Sequence, residues 1–127
     1  MTANPMTVNI TNKVSEVVDI FQSNNLHHLP VVSGTDLLGI ISKSDIDKIS
    51  FVSSGQDPKA NMAVYDSLNI EQVMTSQVES VQAEDQIRDA AELLANGNYH
   101  ALPVLEGKEL KGIITSTDII KYLLEQY

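Results

Sequence analysis

Ser42-Lys43-Ser44-Asp45 and Thr115-Ser116-Thr117-Asp118 each gather hydroxyls and a carboxylate within four residues, and Gly39 and Gly112 precede them by three. At a helix N-terminus such hydroxyls can donate to phosphate oxygens or accept from ribose hydroxyls, beside unpaired N–H groups and the positive end of the helix dipole. An ionised Asp can accept from both hydroxyls of a ribose through charge-assisted bonds. The same spacing is also a capping box, in which a Ser or Thr and an acid three residues later satisfy each other's backbone amides. Spacing leaves both readings open. Duplication does not separate them, because a structural cap would be duplicated too.

His27-His28-Leu29-Pro30 and His100-Ala101-Leu102-Pro103 form a second pair of candidates. Pro suits a strand start, where no ladder donor is needed. A histidine there can cover a base or contact phosphate, or simply cap the mouth of a strand. A shared metal ion at His27 and His28 is disfavoured, because adjacent strand residues point to opposite faces. Lys43 is the cation beside one motif and Ser116 replaces it in the other, while Arg88 reads as a surface charge. With no Cys, no Gly-x-Ser-x-Gly elbow, no Gly-x-Gly-x-x-Gly turn and no Gly-Lys-Ser/Thr phosphate loop, catalysis is not expected.

The elements that carry these motifs come from a duplication. Eleven of the twenty positions from 27 to 46 are identical to those from 100 to 119, an offset of 73 residues. The offset holds without a gap outwards: Val8 matches Val81, Lys48 matches Lys121, and Met1-Thr2 falls on Met74-Thr75. Val14, Val17, Val18 and Phe21 recur at helical spacing, as do Ile87, Ala90, Ala91 and Leu94. Asn12 and Asp85 are candidate N-caps, and Asn24-Asn25 and Gly97-Asn98 suit left-handed C-terminal caps. Apolar runs at 29–32 and 37–41, split by Ser33-Gly34-Thr35-Asp36, read as a hairpin. The runs at 102–105 and 110–114 repeat it around Glu106-Gly107-Lys108-Glu109. Second helices are expected at about 44–50 and 117–125, and short strands near 6–9 and 79–82.

Each copy is therefore β-α-β-β-α, with repeats at 1–54 and 74–127 and a linker with a lead-in turn at 55–73. Residues 53–67 read as a loop or poorly ordered segment, and 68–74 as a helical turn that the first copy lacks. One copy alone makes a marginal core. The expected class is α+β, the two repeats packing sheet to sheet about a pseudo-twofold axis and leaving two related clefts.

The 127 residues are 43% hydrophobic and 20% charged, enough for one globular domain whose core is built from Val, Ile and Leu. A net charge of −9 with no basic run excludes a nucleic-acid backbone as main partner. The absence of Cys removes disulfides, zinc thiolate sites and thiol catalysis. No apolar run reaches membrane-span length, and the first residues lack the charged and apolar stretches of a signal peptide, so a cytoplasmic protein without membrane insertion is expected.

Met74-Thr75, the helix at 85–96, His100-Ala101-Leu102-Pro103-Val104 and Leu110 to Asp118, each with its first-copy partner, resemble the cystathionine beta-synthase (CBS) domain in its tandem-pair form. The resemblance covers nearly the whole chain outside 53–67. It implies a regulatory, non-catalytic module, commonly a homodimer, binding AMP, ADP, ATP or S-adenosylmethionine between the repeats and acting on an effector that the sequence does not name. It assigns Ser42, Ser44 and Asp45 to ribose and phosphate in one cleft, and Thr115, Thr117 and Asp118 in the other. Residues before the prolines would line the clefts: Leu26, His27 and His28, and Tyr99, His100 and Ala101, with Pro30, Pro103 and Lys43 completing the set. No cofactor or structural metal is implied. One departure stands out: family members that grip phosphate often carry Arg where His28 stands, and its partner Ala101 is uncharged. Phosphate affinity should then be low, unequal between clefts and higher at acidic pH as histidines charge. The net charge favours a monophosphate or a sulfonium ligand over a triphosphate unless Mg²⁺ or Lys43 compensates. The competing expectation is a dimerisation module with empty clefts, or a regulatory fragment of a larger enzyme or transporter.

Overall fold

Alternating and β-branched runs become strands, and the 3.6-spaced apolar runs become helices, in the same order in both copies. The computed structural model describes residues 2–3, 5–52, 64–97 and 99–127. The chain forms two compact units, Met6–Val78 and Met1–Pro5 with Glu79–Tyr127.

In the unit Met6–Val78, β2 (Val8–Asn9) leads through α1 (Val14–Ser23) to the hairpin β3 (His28–Ser33) and β4 (Asp36–Ser42), then to α2 (Lys43–Val52). In the other unit, β5 (Val81–Gln82), α4 (Ile87–Asn96), β6 (Ala101–Glu106), β7 (Glu109–Thr115) and α5 (Ser116–Glu125) repeat the order. This is an α+β fold of two β-α-β-β-α repeats. The register repeats as well. Val8 pairs in parallel with Val31 as Val81 does with Val104. His28 faces Ser42 as Ala101 faces Thr115. Each hairpin turns on a glycine with positive φ, Gly34 at 64° and Gly107 at 65°, a conformation that costs any other L-residue a clash of Cβ with the backbone.

Val14, Val17, Val18 and Phe21 are all buried, as their spacing requires, and join Val8, Leu29, Val31, Ile41 and Ile46 in one core. The counterpart core is thinner: Val81, Ala90, Leu102 and Val104, with Leu93, Leu94, Tyr99, Ile114 and Ile119 packed against it.

The caps differ from expectation. The helices start one residue later, with Lys13 and Gln86 as N-caps. Asn12 and Asp85 turn back instead and accept the amides of Asn9 (2.7 Å) and Gln82 (2.9 Å) at the strand ends. Glu16 and Asp89 then close the helix starts by accepting the N–H groups of Lys13 (3.2 Å) and Gln86 (3.0 Å). Asn24 and Gly97 close the helix ends in extended, not left-handed, backbone, with φ of −133° and −99°. Asn98 lies outside the described residues.

The lead-in segment is the larger surprise. Residues 64–67 are helical rather than loop, and α3 (Ile70–Val73) follows as the sequence suggests. Tyr65 and Ile70 are buried in the first core with Leu68 and Val73 against it, so burial of apolar side chains orders this segment. The remainder of the expected loop, 53–63, lies outside the described residues.

Past α3, Thr75 forms a two-bond bridge with Ile40: Ile40 N–H to Thr75 O at 3.0 Å and Thr75 N–H to Ile40 O at 2.8 Å. The short β1 (Thr2–Ala3) pairs with β7 in the matching register, Thr2 opposite Ile113. A Cβ on Gly39 would lie 2.6 Å from the Thr75 carbonyl oxygen and 2.8 Å from the Met74 sulfur. Gly39→Ala is therefore expected to lose about 1–3 kcal/mol in urea unfolding, the usual range for overpacking against backbone. A loss below about 0.5 kcal/mol would show that the Thr75 segment yields without cost.

Candidate functional site

Both motifs sit where the hairpin's second strand becomes a helix. Ser42 N–H donates to Asp45 Oδ2 at 2.9 Å, and Asp45 N–H donates to Ser42 Oγ at 3.1 Å. Thr115 and Asp118 repeat this at 2.9 and 3.1 Å. The capping box is thus formed in both repeats. It engages Oδ2 of each Asp, and a carboxylate has about four lone-pair sites, so capping does not by itself exclude a second role.

Around each box the chain draws in the histidine segment. Lys43 N–H donates to the His27 carbonyl at 2.9 Å, and Ser116 N–H donates to the His100 carbonyl at 2.9 Å. These carbonyls hold the first helical amides, a role for the backbone of His27 and His100 that no sequence pattern signals. Strand register then sets His28 beside Ser42 and Ala101 beside Thr115. Ser42 Oγ and Ser44 Oγ are 2.9 Å apart. His27, Lys43, Ser44, His100 and Thr117 are exposed, and His28, Asp45, Ala101, Thr115 and Asp118 half-buried. The two mouths share a histidine, His27 or His100, and differ in that Met6–Val78 carries His28 and Lys43. The other offers Ser116 and Ala101 at the matching positions.

Four candidate residues belong more to the cores than to the mouths. Leu26 and Tyr99 are half-buried against them. The Tyr99 ring also lies over Gly97, where an added Cβ would sit 2.5 Å from it, which explains a glycine at this helix end. Pro30 and Pro103 are fully buried. Each is the third residue of its strand rather than its start. Ile40, opposite Pro30, sends both its amide and its carbonyl to Thr75, so Pro30 and Ile40 are not a hydrogen-bonded pair. The Pro30 nitrogen faces the other edge, where β2 pairs only from Val31 onward. No donor is missed.

Among the described residues no group of three or more His, Asp or Glu side chains is arranged to hold a metal ion. No helix among them is long and apolar enough to cross a membrane.

Two β-α-β-β-α repeats, each with a Ser/Thr–Asp box at the strand-to-helix turn, define a tandem CBS-type module. Residues 1–51 and 70–125 match the family model of the CBS domain, and the chain belongs to that family. It is 30% identical over 113 residues to the uncharacterized protein MJ1225 of Methanocaldococcus jannaschii, covering 87% of this chain and 40% of the relative. The solved structure of MJ1225 superposes with a TM-score of 0.83 at 26% identity, covering 97% of this chain and 45% of that one. A homoserine O-acetyltransferase of Methanocorpusculum labreanum is 32% identical over 118 residues, 91% of this chain but 22% of the enzyme. The chain thus spans less than half the length of these relatives. Two ligand-bound structures share the fold. CBSX2 in complex with AMP has a TM-score of 0.82 at 21% identity, covering 99% of this chain and 93% of that one. The CBS domain pair of MJ0100, in complex with 5′-methylthioadenosine and S-adenosyl-L-methionine, has a TM-score of 0.74 at 23% identity, covering 99% and 94%.

Proposed function

We propose that this chain is a non-catalytic regulatory module that binds an adenosyl ligand at the strand-to-helix mouths of its repeats. The observation that carries the reading is the pair of Ser/Thr–Asp boxes at one offset in a CBS family member, each with a carboxylate able to accept from ribose. The AMP complex of CBSX2 and the S-adenosylmethionine complex of MJ0100 support the ligand class. Ser42, Ser44 and Asp45 take the ribose and first phosphate of one ligand, and Thr115, Thr117 and Asp118 those of the other. His28 and Lys43, replaced by Ala101 and Ser116 in the other repeat, make the first mouth the better phosphate site. A net charge of −9 favours AMP or a sulfonium nucleoside over ATP, with Mg²⁺ needed to offset a triphosphate. The module works in the cytoplasm as a homodimer, transmitting occupancy as a shift between packings that a ligand favours unequally.

Thermal melting with AMP, ADP, ATP, methylthioadenosine and S-adenosylmethionine tests this. At a hundred times its dissociation constant a true ligand should stabilise the fold by about 2.7 kcal/mol. If none of the five shifts the melt at millimolar concentration with Mg²⁺, the sensor reading is wrong. A second reading, a regulatory segment of a larger enzyme, is favoured by the homoserine O-acetyltransferase of which this chain matches 22%.

A further inference from the structure

Helix α5 buries none of its residues, although apolar side chains recur along it at helical spacing. Ile120, Leu123 and Leu124, at i, i+3 and i+4, form a stripe on one side of it and are 57%, 51% and 67% exposed. This stripe is a different face from the one that residues 64–73 cover in the first unit. That segment packs into the cluster holding Ile46 and Ile49, whose counterparts in α5 are Ile119 and Tyr122. In α2 the positions matching Ile120 and Leu123 are Asp47 and Ser50, so one copy is polar where the other is aliphatic. The stripe contains none of the mouth residues. A contiguous aliphatic stripe of this kind marks a contact with another chain.

The charges beside the stripe identify that chain. Lys121 and Glu125 are exposed and four residues apart, one above the other along a single flank. Neither forms an ion pair among the described residues. When two copies of one helix pair antiparallel across a twofold axis, like flanks meet head to tail. Lys121 then stands against Glu125 of the second copy, and Glu125 against its Lys121. Parallel pairing would leave both charges without a partner. We propose that Ile120, Leu123 and Leu124 form the contact face of a homodimer in which α5 pairs antiparallel with α5 of a second copy. The inference rests on the homodimer of the proposed function and gives it a face and a direction. Three aliphatic side chains per copy fall short of the roughly 800 Å² per partner of a standard interface, so dimerisation should be concentration-dependent, with a Kd of about 1–100 µM.

Sedimentation of the ligand-free full chain from about 1 µM to about 1 mM tests this, and a monomer–dimer equilibrium is expected. Leu123→Asp should weaken it at least about tenfold, the scale of losing one apolar anchor. Leu123 is exposed enough that this variant should melt close to the parent. Lys121→Glu and Glu125→Lys should each weaken the dimer by about three- to tenfold at low salt, because each breaks two pairs and sets like charges together. Mixed in equal amounts, these two variants should recover the parent affinity, since each chain again meets its opposite charges. The proposal fails if the parent stays monomeric at about 1 mM. It fails if Leu123→Asp leaves the dimer intact, which would place the contact on another face. It also fails if the mixed variants associate no more tightly than either alone. A parent that stays monomeric yet gains thermal stability from AMP overturns this face and leaves the ligand reading standing.

Discussion

Ile70→Ala is expected to destabilise the fold by about 2–5 kcal/mol, the range for truncating a fully buried isoleucine when the surroundings collapse only in part. Ile70 is 0% exposed and sits in the same core cluster as Val14, Val17 and Ile41. A loss of that size takes a large fraction of the stability of a domain of this length. The contrast with the duplicate strengthens the test. Ile87 is 41% exposed, so Ile87→Ala should cost less than about 1 kcal/mol, with only part of its side chain leaving an apolar environment. Urea unfolding of both variants reads the difference directly. Equal losses would mean that residues 64–73 do not cover the first repeat, and a loss below about 1 kcal/mol at Ile70 would place that segment outside the cooperative core.

Asp45→Asn and Asp118→Asn separate the two roles of each acid. Asparagine keeps a carbonyl oxygen that can accept the Ser42 or Thr115 amide, so the box survives and stability should change by less than about 1 kcal/mol. The ribose loses a charged acceptor, and bonds to charged groups contribute roughly 1.5–3 kcal/mol each. Affinity at the altered mouth should fall by about tenfold or more while the other mouth is untouched. Asp45→Ala and Asp118→Ala remove both roles, adding a capping loss of about 0.5–2 kcal/mol to the loss of binding. Calorimetric titration with the ligand identified by melting gives both affinities. Unchanged binding in both Asn variants would leave Asp45 and Asp118 as caps alone.

Much of the fold was legible because the duplication let each copy check the other. The hairpins at Gly34 and Gly107, the buried face of α1 and the order of elements all follow from periodicity and turn chemistry, which act within a few residues. The cap positions were one residue off. Asn12 and Asp85 had a competing partner in the amide three residues back, and a side chain that can bond in either direction carries no mark of which it chooses. The box residues were legible too, but their purpose was divided between capping and ligand contact. The structure shows the capping bonds in both repeats, and ligand contact is left to the Asn variants.

By itself the sequence determined the repeat, its α+β class, the Ser/Thr–Asp boxes and the acidic character that weighs on ligand choice, since all of these reside in residue types at short spacing. Only the tertiary structure decided what residues 64–73 are for. Residues 64–67 read as linker and 68–73 only as a lead-in turn, yet Tyr65 and Ile70 are buried because the first repeat presents a hydrophobic face that they cover. It likewise decided that Pro30 can stand inside a strand, because Ile40 turns its amide and carbonyl to Thr75, a residue 35 positions further along the chain. Side-chain burial and strand partnership are properties of distant pairs, and nothing in either partner's neighbourhood encodes them.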